Sequence, residues 1–465
     1  MKGGMIRKIL AVALVTAVVG VSCGGDDDDD AASGTPTETT GENGGDGATD
    51  PADIKTDYGA DAEKIRVGMI ADLSGPFSTL VKDIVLAQQV YWDKINADGG
   101  IGGRKIELVI EDNKYDVPTH LQKFAPMKAT DSKGVLILAQ STGSPHSTAI
   151  KADLESNHMI AIPLSWYSGW ADPTFGKNIF EAYSNYCLES MNIMEWMQKN
   201  QGVKTVAIAS FPGEAGQDAA AGAKKGAAAV GVKVVYDGEG KIVPPSPTNP
   251  NPEVGSIVDA IVASKADLAF IAGNPSALGR IVGGAAAKGF AGKWTGFTPS
   301  YNPALLKSDI KDVLDKSYYQ SGYTVAFGTD VPGMKEMSDA IKAARPDAPV
   351  SDAYVYGWTE AQITAEILKH AAENGDLTRA GVEKAAFELE KVDFGGLAPS
   401  QTWSGDPNDY IVRETYMFKP RVANYVEGPI GTGNTGSELL EGPFASQAAK
   451  DYDYEADGAC YKAAG

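Results

Sequence analysis

Six apolar runs in this chain end the same way, on a small or polar mouth, and no other feature constrains the fold as strongly. In the first half they are IRVGMIADLSGP, VLILAQSTGS and MIAIPLSWYSG; in the second half they are TVAIASFPGEAG, LAFIAGNPSALG and WTGFTPSYNP. Amphipathic stretches such as Val85 to Asn96 and Ala219 to Val230 separate them. Short apolar runs alternating with helical patterns predict parallel strands joined by crossover helices, an α/β architecture. Two sets of three beats read as two similar lobes, each of about 120 residues and so of ordinary domain size. In open parallel sheets ligands bind beyond the carboxyl ends of the strands, so six mouths on two facing lobes would surround one cleft. The stretch Val135 to Ile150 makes the point locally. Its apolar residues lead into Gln140, Ser141, Thr142, Gly143 and Ser144, and a helix-like run follows Pro145. Hydroxyls and backbone N–H groups at a helix start suit an anion or a carbonyl.

At 465 residues the chain exceeds what one core usually supports, about 250–300 residues, which agrees with two lobes. A net charge of −20 argues against a nucleic-acid partner, since phosphate binding needs a basic face. The N-terminus reads as a processing signal. Lys2, Arg7 and Lys8 precede an apolar stretch from Ile9 to Val19, too short to span a bilayer. Val21, Ser22 and Cys23 follow in the manner of a bacterial lipobox, although Gly20 stands where an aliphatic is usual. Residues 1–22 are therefore expected to be a signal peptide, with Cys23 lipidated and residues 23–61 a flexible acidic tether poor in large apolar residues. The aspartates Asp26 to Asp30 lack the fixed geometry of a metal site. Cys187 and Cys460 would lie in an exported, oxidising setting, where a disulfide between them would pin the end of the chain to the body.

Catalytic signatures are absent from the sequence. The histidines His120, His146, His158 and His370 show no HExxH or metal-ligand spacing, and there is neither a nucleophile elbow nor a P-loop. GTGNTG, Gly431 to Gly436, lacks the preceding strand and long following helix of a dinucleotide site. His146 reads as a polar residue in the first turn of a helix rather than a base, because no third group is visible to orient it. Lys241 to Val254, with five prolines, reads as an exposed excursion, and the stretch from Ser351 as a long helix ending at Asn374–Gly375. YIVRETYMFKP reads as a late strand before a loose tail. No enzyme activity and no cofactor are expected.

IRVGMIADLSGPFSTL followed by INADGGIGGRKIELVIEDNKYDVPTH resembles the opening of extracytoplasmic solute-binding proteins of the branched-chain amino acid type, which serve ABC importers. DAYVYGW and VDFGGLAPSQTWSGD follow in the family's order, so the resemblance covers about Ala62 to Pro420. It implies the type 1 periplasmic binding protein fold: two Rossmann-like lobes with parallel sheets, a three-strand hinge, and closure on one buried ligand, a motion for which such proteins are a standard example. By that likeness the first lobe takes residues 62–180 and 298–409, the second takes 181–297 and 410–422, and residues 423–465 form the tail. The family's carboxylate-gripping turn falls on Ser141 and Thr142 with Gly143. Ser165, Trp166 and Phe77 would supply further contacts, as would Tyr183, Asn274 and Tyr301. The family's usual acid for a ligand ammonium is missing from GNPSALG, and Glu214 nearby reads as a solvated carboxylate. A buried ammonium without a paired carboxylate is costly. The expected solute is thus small and polar, an amino acid, amide, aromatic acid or other small carboxylate, with a branched-chain amino acid disfavoured. The implied partners are that solute and an ABC permease, with a lipid-anchored, extracytoplasmic, monomeric receptor. A sensing subunit of the same fold is the alternative, and an exported Rossmann-like enzyme the remote one.

Overall fold

The computed structural model describes residues 51–463 except Pro247. The expected signal peptide, Cys23 and most of the expected tether lie outside the described residues. The chain opens with β1 (Lys55–Thr56), β2 (Lys64–Ala71), α1 (Ser78–Ala97), β3 (Lys105–Asp112), α2 (Val117–Met127), β4 (Ile137–Thr142), α3 (Ser144–Ser156) and β5 (Ala161–Leu164). It continues through α4 (Tyr186–Gln201), β6 (Thr205–Ser210), α5 (Gly213–Ala229), β7 (Lys233–Gly238), α6 (Gly255–Ser264), β8 (Leu268–Ala272), α7 (Pro275–Ala287), β9 (Lys293–Gly296), α8 (Lys311–Ser317) and β10 (Tyr318–Gly322). Next come α9 (Pro332–Ala344), α10 (Ala353–Glu373), β11 (Asp376–Leu377), α11 (Arg379–Phe387) and α12 (Pro407–Tyr410). Last are β12 (Thr415–Pro420), β13 (Ser437–Phe444), α13 (Gln447–Lys450) and α14 (Tyr454–Asp457).

Two sheets define the lobes. One has four parallel strands in the order β3-β2-β4-β5; the other has seven, β13-β12-β10-β9-β8-β6-β7, with β12 and β13 antiparallel to their neighbours. The orders β3-β2-β4-β5 and β7-β6-β8-β9 are the same arrangement used twice. All six sequence beats are strands of this repeat. The order reverses between β2 and β4 in one lobe and between β6 and β8 in the other, the switch points where open α/β sheets leave room for a ligand. The chain crosses between lobes three times: from β5 to α4, from β10 to α9, and from α11 to β12.

Three expected boundaries move. Pro51–Asp53 forms a 3-10 turn, β1 pairs with β11, and Ile54 is buried, so the folded body starts earlier than residue 62. The sequence reading returns the chain to the first lobe at residue 298, but β10 pairs with β9 and delays the crossing until after Gly322. The tail is not loose. β13 pairs with β12, and a disulfide joins Cys460 to Cys187 on α4, Cα atoms 6.0 Å apart. The long helix α10 ends where expected, with Gly375 at φ 71° beyond its C-cap. The excursion from Lys241 to Val254 is mostly exposed.

Helices α4 and α5 lie unusually close because α5 turns glycines toward its partner. A Cβ on Gly222 would sit 2.2 Å from the Cys187 carbonyl oxygen, and one on Gly226 would sit 2.7 Å from Met191 Cα. Gly222→Ala should therefore destabilise the protein by about 1–3 kcal/mol in urea unfolding, as overpacked interfaces do. Gly255→Ala, where a Cβ meets nothing within 4 Å, should change stability by no more than about 0.5 kcal/mol. Equal effects would refute the close-approach account.

Candidate functional site

Between the switch points lies a cavity of about 90 Å³. The first lobe supplies Phe77, Leu80, Val81 and Ile84 around the start of α1, Tyr115 after β3, Thr142 and Gly143 at the end of β4, and Trp166 after β5. The second lobe supplies Phe211 after β6, Phe297, Thr298 and Tyr301 after β9, Gln320 on β10, and Phe418 on β12. Thr324, Val325 and Ala326 of the second crossing also line it.

Buried polar side chains hold these loops in place. Asp72, at the end of β2, accepts from Gly75 N at 2.5 Å and Phe77 N at 2.8 Å, which shapes the entry to α1. Burial raises the Asp72 pKa, and those backbone donors oppose the rise. Asn113 donates from Nδ2 to the Thr142 carbonyl at 2.9 Å. Gln140 Nε2 donates to Thr142 Oγ1 at 2.9 Å, leaving the Thr142 hydroxyl proton free for a ligand. Gly143 has φ 103°, and a Cβ there would lie 2.3 Å from His146 Nδ1, so this turn requires glycine.

The residues expected at the site divide. Phe77, Thr142, Gly143, Trp166 and Tyr301 line the cavity. Ser141, Ser165, Tyr183 and Asn274 do not. Ser141 is fully buried one residue short of the mouth and hydrogen-bonds Ser147 Oγ at 2.8 Å. Strand alternation turns Ser141 away from the face that Thr142 presents. Ser165 bonds Ser144 Oγ at 2.7 Å and accepts from Trp170 Nε1. Tyr183 sits in the first crossing at φ 67°, its hydroxyl bonded to Thr359. Asn274 caps α7 through Oδ1 and donates from Nδ2 to the Pro76 carbonyl at 3.1 Å, so it bridges the lobes instead of facing solute. Glu214, read as solvated, is half-buried and accepts from Thr148 Oγ1 at 3.2 Å. With Asn302 Nδ2 donating to the Thr79 carbonyl at 3.4 Å, these bonds span the rim, and the lobes stand closed on one another.

His146 does occupy the first turn of α3, but it is buried, with neither ring nitrogen hydrogen-bonded, 4.6 Å from Tyr115 between ring centroids. Burial lowers its pKa to about 4 and that of His120 to about 3, so both rings are neutral near pH 7.

The sequence reading missed Tyr115, Tyr186, Phe211 and Phe297, all on the cavity wall. Phe211 and Phe297 follow strands that were recognised, so the same loop rule could have found them. Tyr115 follows β3, an edge strand that carries less of the apolar signal. Glu189 lies below the wall, where it accepts from Thr298 N at 2.8 Å and Oγ1 at 2.6 Å, and from Tyr323 Oη at 2.5 Å.

The walls are chemically lopsided. One carboxylate lines them, Asp352, and its oxygens already accept from Phe327 N, Thr435 Oγ1 and Ser437 Oγ. Three buried wall atoms have no partner: Trp166 Nε1, Tyr301 Oη and Gln320 Oε1. Such orphans are rare in native interiors and mark places where a ligand or water belongs.

A model of the family described as periplasmic binding protein matches residues 64–419. The chain belongs to the periplasmic binding protein family. The protein is similar to a fatty acid ABC transporter substrate-binding protein from Thermomonospora curvata, 26% identical over 86% of this chain and 97% of that one, TM-score 0.76. Its fold is shared by a branched-chain amino acid ABC transporter protein from Thermus thermophilus with bound valine, 16% identical over 83% and 98%, TM-score 0.68. A solute-binding protein from Rhodopseudomonas palustris BisB5 in complex with 3,4-dihydroxy benzoic acid shares it too, at 20% identity over 82% and 96%, TM-score 0.64. No match is found among curated protein sequences. Family and neighbours are binding proteins rather than enzymes, and among the described residues no helix is long and apolar enough to cross a membrane.

Glu189 gives this binding protein a pH signature. Burial pushes its pKa from 4.5 up to about 7, and its hydroxyl and backbone donors oppose the rise. Its folded-state pKa is raised, so its contribution is fully present below about 4.5 and lost as pH rises through about 7. Relative to the wild type, Glu189→Gln should gain stability between about pH 5 and about pH 8, measured by urea unfolding. The same pH dependence in both proteins would show that Glu189 does not titrate in this window.

Proposed function

We propose that this binding protein captures a solute with an apolar body and a hydrogen-bond-accepting end, such as an aliphatic or aromatic carboxylate, and delivers it to an ABC importer. The observation that carries this reading is the wall chemistry: two unpaired donors, Trp166 Nε1 and Tyr301 Oη, and no carboxylate free of protein donors. Rings and aliphatic side chains dominate the rest of the lining, which suits a hydrophobic body. Thr142 adds a hydroxyl that can donate, beside the N-terminus of α3, where the helix dipole favours negative charge. A free amino acid would bring an ammonium that finds only the neutral Gln320 Oε1 unpaired and no carboxylate free of protein donors, so its charge would be desolvated without a counter-charge. The likeness to the fatty acid and dihydroxybenzoate binders supports the same choice. It also narrows the expectation of a small polar solute, since amides and compact polar molecules would leave most of the apolar wall unmatched. Delivery from the outer face of the membrane would rest on lipidation of Cys23, which Cys23→Ser should abolish, releasing the protein to the medium.

A thermal-shift screen of aliphatic and aromatic carboxylates, their amides and the matching α-amino acids tests the solute class. A true ligand at 100 times its dissociation constant should add about 2.7 kcal/mol. Trp166→Phe and Tyr301→Phe should each weaken binding by about 1–2 kcal/mol, the worth of a hydrogen bond to a charged or carbonyl acceptor. Tighter binding of an α-amino acid than of its deaminated carboxylate would overturn the proposal, as would chemical conversion of the bound solute.

A further inference from the structure

A second cavity lies apart from the solute cleft, against the first and third crossings. Its walls come from residues 170–183 and 401–411, and Phe387 of α11 completes them. Its volume is about 220 Å³, against about 90 Å³ in the cleft, which is room for a molecule of several heavy atoms. Six aromatic side chains line it: Trp170, Phe180, Tyr183, Phe387, Trp403 and Tyr410.

Glu181 stands on this wall, 8% exposed, with Oε1 buried and bonded to nothing. Its backbone is committed, because the carbonyl accepts from Trp403 Nε1 at 2.9 Å and Gln401 Nε2 at 3.2 Å. Gln401 Oε1 also accepts from Tyr183 N at 2.6 Å. The first and third crossings are thus tied together while the Glu181 carboxyl is left over. Two other charged residues share the wall. Lys177 is half-exposed and lies 3.9 Å from the Glu155 carboxylate; Asp406 is exposed and caps α12. Neither supplies Glu181 with a donor. A desolvated carboxyl oxygen without a donor is costly, and aromatic faces attract cations. The two features fit one kind of occupant.

We propose that this pocket is a second binding site, one that takes a small organic ammonium ion. The ion's N–H donates to Glu181, and its apolar body lies against the rings. The site is independent of the solute cleft, and neither assignment rests on the other.

Equilibrium dialysis of the full chain with benzylammonium tests it. The expected result is saturable binding at one site per chain, weakened at least tenfold by Glu181→Gln and unchanged by Phe77→Ala in the solute cleft. Benzyl alcohol, the same body without the charge, should bind the wild type at least tenfold more weakly. That comparison decides the matter even if Glu181→Gln does not fold, which its circular dichroism would reveal. No saturable binding, equal binding of benzyl alcohol, full affinity in a folded Glu181→Gln variant, or loss of binding in Phe77→Ala would each overturn the proposal.

Discussion

Burial of the Glu189 carboxylate between Thr298 and Tyr323 fixes how the second lobe meets the chain that crosses out of it. Helix α4 brings the carboxylate, the turn after β9 brings Thr298, and the stretch after β10 brings Tyr323. A buried carboxyl group needs its donors, so these three segments cannot drift apart cheaply. The cavity floor follows from that clamp. Phe297, Thr298 and Thr324 line the cleft beside the clamped residues. Trp166 packs 5.0 Å from Tyr323 and 5.6 Å from Tyr356 between ring centroids, so an aromatic layer continues the clamp into the first lobe.

The fold was largely legible because β2, β4, β5, β6, β8 and β9 are nearly all buried, and buried parallel strands read as continuous apolar runs. The strands at the sheet margins were not. β3 reads KIELVIED and β7 reads KVVYDG, each with a half-buried pattern whose polar residues dilute the apolar signal. β13 has an almost wholly exposed pattern and depends on β12 for its pairing, which no local pattern announces. The same limit hid the early start of the body, since β1 is two residues that pair with β11, more than 300 positions later.

The site was legible at the level of loops and less so at the level of atoms. Placing the ligand beyond strand ends pointed to Phe77, Thr142, Gly143, Trp166 and Tyr301, which line the cavity. Choosing between adjacent residues failed, because Ser141 and Thr142 point to opposite faces of β4 and only packing reveals which face is the mouth. Asn274 failed for another reason. An asparagine before a proline-led helix is also a good cap, and the cap took its side-chain oxygen. Glu189 and Glu181 gave no sequence signal at all, since an acid inside an ordinary helix or beside a phenylalanine looks solvated until the tertiary fold surrounds it.

The end of the chain has a role in time as well as in space. Asp218 of α5 is buried and accepts from Ser168 N at 3.0 Å, Ser168 Oγ at 2.6 Å and Tyr461 N at 3.1 Å; Cys460 N donates to Ser168 Oγ at 3.0 Å. Tyr167 donates from Oη to the Tyr461 carbonyl and accepts from Ala463 N. The last residues therefore complete a polar junction among the first crossing, α4 and α5 that earlier parts of the chain leave open. A chain that emerges N-terminus first reaches that junction only when residue 460 has arrived, in a compartment oxidising enough to join it to Cys187. Neither lobe is continuous in sequence, so each waits for segments made after the other has begun. The junction at Asp218 is finished later still, by the segment that looked most dispensable.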